Sequence, residues 1–304
     1  NPDDALPVFE KHPDMVLKLS HFATHRINWD QKADNIRSIA LELNIGLDSI
    51  VFLDDNPVER ARVRAELPQV LVPELPTDPA LYRSTLLELG VFDTLTLTEE
   101  DRNRNQVYAE QKARHDYEVG FRGTHLEDYL AGLEMVVEIA PANSLTLPRI
   151  AQLTGKTNQF NLTTRRYTEA QVEEMQAGGM LVYSMNVTDR FGDNGLVGVA
   201  ILSPIAPDTW EIDSFLMSCR VMGRSVETAL LATVANAVRA RGGSRLEGWF
   251  LPTAKNEPVK DFYPRHNFTV VEEQPGGGVR YAFNLHEGNI DIPGWLTVRV
   301  PALI

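Results

Sequence analysis

Cys219 is the only cysteine in a chain of 304 residues, and it closes the apolar run DSFLMSC (213–219) directly before R-x-x-G-x-S (220–225). Two chemistries are open to it. At a strand end, a lone thiol serves as a small buried hydrophobe. Beside Arg220, Arg224 and a helix N-terminus, the same thiol is drawn toward thiolate, a nucleophile suited to an activated acyl donor. The turn behind it has its own logic. Gly223 permits close backbone approach, and Ser225 stands at the head of a helical pattern. The unpaired N–H groups of that first turn, with the helix dipole, make a ready anion site.

Two further clusters carry chemistry. SIVFLDDN (49–56) ends in Asp54 and Asp55, adjacent carboxylates that suit Mg²⁺, a hard ion that takes oxygen ligands and keeps waters for a phosphate substrate. Lys32 precedes the helix leading into that run and could neutralise a phosphoryl group. The same residues also read as a helix cap and a surface charge. KTNQFNLTTRR (156–166) is rich in donors: Asn158, Asn161, Arg165 and Arg166 read either as a solvated loop or as a phosphate clamp, since guanidinium forks match phosphate geometry. His266 is a candidate base, though a lone histidine is commonly structural. His21, His25 and His115 have no spacing that suits a metal.

The elements that must position these residues follow from periodicity. DDALPVFEKH reads as a helix and MVLKL as a strand. ADNIRSIALELNI (33–45) puts Ile36, Ile39, Ala40 and Leu43 on one face; PVERARVRAEL follows 49–56 as a helix, and VLVPELP (70–76) reads as a second buried strand. This order predicts parallel βα units, with ligands beyond the strands' carboxyl ends, where Asp54 and Asp55 fall. PALYRSTLLELG and TEEDRNRNQVYAEQKARHDY read as helices, the second a solvated connector with a weak Thr98–Asp101 cap. Beyond GFRGT the pattern becomes strand 134–140, helix 144–154, helix 168–177, two strands joined by RFGDN, TWEIDSFLMSC, a helix with Val226, Leu230, Val234 and Val238 at four-residue spacing, then SRLEGWFL, FTVVEE and VRYAFNLH, the last two joined at PGGG. The expected division is 1–76, a helical linker 77–122, a second domain 123–288 and a tail 289–304.

Composition bounds the classes. Hydrophobic residues at 43% and charged residues at 23% describe a globular chain. No run approaches eighteen apolar residues, so no membrane-spanning helix is expected. A net charge of −13 argues against sequence-independent nucleic-acid binding. One cysteine excludes an internal disulfide and a cysteine-based zinc site, and fits a reducing, cytoplasmic setting.

HFATHRINWDQKADNI followed by VFLDDNPVERARV is similar to the third and fourth motifs of haloacid-dehalogenase-like (HAD) phosphatases. The resemblance implies Lys32 as the phosphate-neutralising lysine and Asp55, ahead of Asp54, as the Mg²⁺ ligand. No D-x-D lies upstream of Lys32. That implies half of a phosphatase site, whose nucleophile either belongs to a segment outside this chain or is missing. RVMGRS (220–225) after a strand and before a helix resembles the coenzyme A site of the N-acetyltransferase (GNAT) superfamily. Arg220, Gly223, Arg224 and Ser225 would hold a phosphopantetheine or coenzyme A phosphate, and in VKDFYPRHNF Tyr263 takes the place of a tyrosine near the thioester. With GKTNQFNLTTRRYT and LVPELPTDPALYRSTLLELGVFDTLTLTEEDRNR, the whole resembles the FkbH-like proteins, a HAD-type domain fused to a GNAT-like one. The fold class so implied is α/β, a partial HAD-like parallel-sheet domain plus a GNAT-like mixed domain. The activity implied is transfer of a glyceryl unit from 1,3-bisphosphoglycerate to an acyl carrier protein with loss of phosphate, feeding polyketide biosynthesis. A coenzyme A-dependent N-acyltransferase and a non-catalytic carrier-binding module are the alternatives.

Overall fold

The computed structural model describes residues 1–43, 45–93, 110, 113–114, 116–121 and 125–301. The chain divides into two compact units, residues 1–112 and 113–304. The charged helix read over 98–117 lies outside the described residues for most of its length, its Thr98–Asp101 cap and His115 included.

In the first unit, α1 (Pro2–Lys11), α2 (Lys32–Leu43), α3 (Pro57–Glu66) and α4 (Tyr82–Glu88) form where periodicity places them. Asn56 caps α3 by accepting from the Val58 N–H at 2.9 Å, with Pro57 in the first turn, where its missing N–H costs nothing. Ala33 and Ile36 from α2 meet Val63 from α3 and Leu67 just after it, with Val70 and Val72, in a small core. The two expected strands are corrected: 49–56 and 70–76 reduce to one parallel bridge, Val51 to Leu71. MVLKL likewise forms no strand and leads into a single turn, Leu19–His21. A parallel pair with no flanking strand has too few ladder bonds to extend. Leu53 and Leu71 accordingly stay about two-fifths exposed.

The second unit is a nine-stranded mixed sheet. After α5 (Leu126–Gly132), β1 (Met135–Pro141) leads to α6 (Leu147–Lys156), the short β2 (Phe160–Asn161) and α7 (Glu169–Ala177). The antiparallel run β3 (Leu181–Asp189), β4 (Gly192–Ala206) and β5 (Thr209–Met217) follows. Then come α8 (Val226–Arg239), β6 (Arg245–Phe250), α9 (Phe262–Arg265), β7 (Thr269–Glu273), β8 (Val279–Asn284) and β9 (Leu296–Arg299). The strand order is β7-β8-β6-β5-β4-β3-β1-β9, with β2 added on β5. Only β1–β9 and β5–β6 run parallel. The stretch 289–304, read as a tail, therefore supplies an edge strand of the sheet, because Leu296 and Val298 complete the face that β1 offers.

The strip Val226, Leu230, Val234 and Val238 is buried on one face of the sheet, against Val137, Met185, Phe215 and Leu246. On the other face, Ile150 and Leu153 of α6 and Val172 of α7 pack on Val182, Val199, Ile201 and Leu216. A bulge falls at Asp213. Leu202 opposes Ile212 while Ile201 opposes Ser214, leaving Asp213 as the extra residue. Trp210 and Ile212 before the bulge, and Phe215 and Met217 after it, thus reach the same core. The β5–β6 pairing ends at Ile212–Gly248. Beyond it β5 pairs with β2 instead, and the Leu251 N–H donates to the Leu162 carbonyl at 2.8 Å.

Candidate functional site

The sheet brings the Cys219 turn to the end of β5. The Ser218 N–H donates to the Val197 carbonyl at 2.7 Å, closing the ladder, and Cys219–Val221 form one tight turn. Cys219 is partly buried there. Gly223 has φ +78° and Ser225 φ +62°. A Cβ on Gly223 would meet no atom within 4 Å, so the space above the turn is open while the backbone itself favours glycine. Ser225 occupies the cap position of α8, yet its hydroxyl caps nothing. The first-turn amides and the dipole of a 14-residue helix thus lie behind an open glycine.

The two arginines of the turn do not serve as expected. Arg224 is drawn inward: its side chain, 12% exposed, pairs with the inaccessible side chain of Asp189 at 3.3 Å. Burial lowers its proton affinity from the usual arginine value. Its charge is taken up in the interior, because a carboxylate buried there is costly unless a counter-charge meets it. Arg220 donates from Nε to Ser218 Oγ at 3.3 Å and from Nη1 to the Asn194 carbonyl at 3.4 Å. It follows Cys219 directly in the turn and is only partly buried.

Tyr263 is also corrected. Its ring is fully buried among Phe262, Phe268 and Tyr281, and among the described residues its hydroxyl has no hydrogen-bond partner. Burial holds the phenol far above its ordinary pKa. It faces Gly248, where an added Cβ would lie 2.0 Å from the hydroxyl oxygen. Tyr263→Phe is therefore expected to be neutral or stabilising in thermal unfolding, since it removes only an unsatisfied polar atom. Gly248→Ala should cost about 1–3 kcal/mol by overpacking, and the double variant should recover part of that. His266 is occupied rather than poised: Nδ1 lies 2.7 Å from the Phe262 carbonyl and Nε2 2.9 Å from Thr228 Oγ1. Burial lowers its pKa, and its two hydrogen bonds tie the end of α9 to α8.

The 156–166 cluster is largely a structural latch. Asn161 is fully buried; its Nδ2 donates to the Thr157 carbonyl and its Oδ1 accepts from the Thr164 N–H. Arg165 donates from Nη1 to Asp213, which also accepts from Tyr167 Oη at 2.8 Å and Ser214 Oγ at 2.9 Å. Burial, then the bond to Asp213, pushes the Tyr167 phenol up to about 12. Arg166 remains exposed, with Asn158 Oδ1 at 3.4 Å. The residues that reasoning from sequence passed over are Asp213 and Glu211. A carboxylate inside an otherwise apolar strand was the available signal. Glu211 is raised in pKa by burial, opposed by Arg280 at 3.7 Å.

In the first unit Lys32 Nζ stands 4.0 Å from Asp54 Oδ2. Asp54 also accepts from the Asn56 N–H at 2.9 Å, while Asp55 is exposed. Asp54, the lesser expectation, is the one beside the lysine. Arg60, 7% exposed, fixes this loop by donating to the Asp54 and Asp55 carbonyls and pairing with Glu74. Two adjacent carboxylates fit part of a Mg²⁺ sphere. Among the described residues no group of three or more His, Cys, Asp or Glu converges to complete one. Among those residues, too, no helix is long and apolar enough to cross a membrane.

No family model matches the chain, and no match is found among curated proteins. Among solved structures, the chain is similar to the N-terminal part of the protein BF1531 from Bacteroides fragilis, which contains a phosphatase domain complexed with Mg. The identity is 52% and the TM-score 0.31 over 32% of this chain and 26% of that one. The chain thus spans about a quarter of that structure. It is also similar to N-acetylglutamate synthase from Neisseria gonorrhoeae, complexed with coenzyme A and N-acetyl-glutamate (20% identity, TM-score 0.39, 50% of this chain and 35% of that one). A GNAT family acetyltransferase from Elizabethkingia anophelis with acetyl-CoA bound matches at 12% identity and TM-score 0.37, over 49% of this chain and 97% of that one.

Proposed function

We propose that the second unit is an acyltransferase that moves a phosphoglyceryl or glyceryl unit from 1,3-bisphosphoglycerate to the phosphopantetheine thiol of an acyl carrier protein, and that the first unit contributes to removal of phosphate. One observation carries this reading: Cys219 at the end of β5 leads directly into an open, left-handed glycine turn backed by the uncapped N-terminus of α8. A nucleophile and an anion cradle adjoin on one loop. In the first step Cys219 sulfur bonds to the acyl carbon and the carbon–oxygen bond to phosphate breaks, with phosphate leaving as the anion. In the second the carrier thiolate takes the acyl group and Cys219 leaves as thiolate. Arg220 keeps positive charge beside the sulfur. The amides around Gly223 hold the carrier arm's phosphate.

Asp54 and Asp55 would hold Mg²⁺ beside Lys32. Bound there, the ion would supply charge neutralisation at a phosphoryl group, and Lys32 would add a fixed ammonium. Intact-protein mass spectrometry after incubation with 1,3-bisphosphoglycerate tests the reading: a hydroxylamine-labile adduct is expected, and its absence sinks the covalent route. Gly223→Val should still form that adduct but lose transfer to the carrier, because a branched side chain resists φ +78° and fills the approach to the amides. Loss of the adduct in a folded Gly223→Val protein would place the donor's phosphate, not the carrier's, on the turn.

A coenzyme A-dependent N-acyltransferase is favoured by one observation, the burial-raised carboxyl of Glu211 near the parting of β5 and β6. That group could take a proton from an amine acceptor. Acetyl-CoA turnover with an amine, lost in Glu211→Gln, would support it.

A further inference from the structure

One carbonyl of the turn that joins β5 to α8 is held from the far end of the chain. Arg224 lies between two left-handed residues, Gly223 at φ +78° and Ser225 at φ +62°. Glycine adopts such backbone freely, whereas a residue with a Cβ does so where its surroundings impose it. The constraint next to Ser225 is an indole: Trp295 Nε1 donates to the Arg224 carbonyl at 3.3 Å. The indole is itself fixed. It packs, partly buried, on the main core of the second unit. Leu296, next in the chain, donates to the Pro293 carbonyl at 3.1 Å and pairs with Met135 in the β9–β1 ladder. A stretch that reads as a tail in the sequence thus reaches back to a turn 71 positions earlier.

The consequence falls on the other side of the same peptide. Among the described residues every peptide bond is trans, and in a trans peptide the C=O and the following N–H point in opposite directions. With the Arg224 carbonyl turned to Trp295 and the core behind it, the Ser225 N–H is turned away from them. Among the described residues the N–H groups of Gly223, Arg224 and Ser225 donate to no protein acceptor. Ser225 is left-handed and Val226 opens the right-handed α8; successive N–H groups through such a step converge on one point, a concavity that suits an anion. Half a rotation of the Arg224–Ser225 peptide would return Ser225 to negative φ and put a carbonyl where its N–H now points. We infer that Trp295 is a positioning residue of this cradle: its indole N–H locks the peptide with the Ser225 N–H outward, and the carrier arm's phosphate bonds to that N–H. The binding half rests on the proposed reading of the turn as a phosphate site; the lock on the peptide does not.

The test separates the two. It uses the full chain with Trp295→Phe, which keeps an aromatic ring on the core and removes the donor; Trp295→Met takes its place if that variant does not fold. Carbon chemical shifts of Ser225 report its backbone region. Left-handed shifts in wild type and their loss in Trp295→Phe are expected, and a Ser225 that stays left-handed without the indole overturns the lock. Coenzyme A, titrated by calorimetry, is the phosphate-bearing probe, with pantetheine as the phosphate-free control. Trp295→Phe should bind coenzyme A about fivefold more weakly, the scale of one hydrogen bond, and pantetheine as wild type does. Ser225→Gly added to Trp295→Phe should restore coenzyme A affinity, because glycine accepts left-handed backbone without a tether. Lost packing alone would weaken both probes and resist rescue by glycine, so that pattern overturns the inference, as does an unchanged affinity for coenzyme A. If wild type binds coenzyme A no better than pantetheine, the phosphate-site reading falls and takes the binding half with it, while the Ser225 shifts decide the lock on their own.

Discussion

Cys219→Ala protein incubated with 1,3-bisphosphoglycerate is expected to keep its unmodified mass, and its rate of acyl transfer to a carrier protein should fall on the order of 10³-fold or more. The physical reason is the step the thiol makes possible. An acyl phosphate and a thioester have similar transfer potential, so an enzyme thioester splits one encounter between donor, turn and carrier into two. Alanine keeps the small apolar volume at the strand end but cannot form the bond. Packing is nearly conserved, since Cys219 is only partly buried, so the variant should unfold at a temperature close to that of wild type. A Cys219→Ala protein that transfers at the wild-type rate makes the cysteine a packing residue and requires direct attack by the carrier thiol.

Asp189→Ala should destabilise the second unit by about 3–5 kcal/mol, read as a lowered midpoint in urea unfolding. The substitution removes the carboxylate shared by two guanidiniums, Arg114 at 3% side-chain exposure and Arg224 at 12%. It also removes the acceptor for two hairpin N–H groups and for Asn194. The contrast is Glu138→Ala, which breaks an ion pair with Arg299 whose side chains are 53% and 64% exposed. Water screens that pair, and its loss should cost less than about 1 kcal/mol. If Asp189→Ala costs no more than Glu138→Ala, the buried cluster contributes no net stability and the grip on Arg224 is illusory.

Much of the second unit was legible along the chain. The four-residue spacing of Val226, Leu230, Val234 and Val238 specified both a helix and its buried face. Alternation placed β3, β4 and β5, and R-x-x-G-x-S after a strand predicted the turn that the structure contains. These are local signals, because periodicity and turn chemistry act within a few residues. The first unit was less legible for the same reason: an apolar run such as SIVFL promises a strand only if neighbours pair with it, and here one bridge forms.

The direction of each side chain was decided by tertiary structure alone. Arg224 reads as a phosphate ligand in RVMGRS, yet Asp189, 35 positions away, turns it into the core. Arg165 reads as part of a clamp, and the bulge at Asp213 takes it. Tyr263 reads as a tyrosine at the thioester, and the close face of Gly248 seals it away. Charge on a residue is local, but the partner that satisfies it is chosen by which distant segments the sheet brings together, and a carboxylate that the fold buries must be met by a cation. The sequence determined that this chain presents a thiol and a glycine turn on one loop; the fold decided which cations remain beside them.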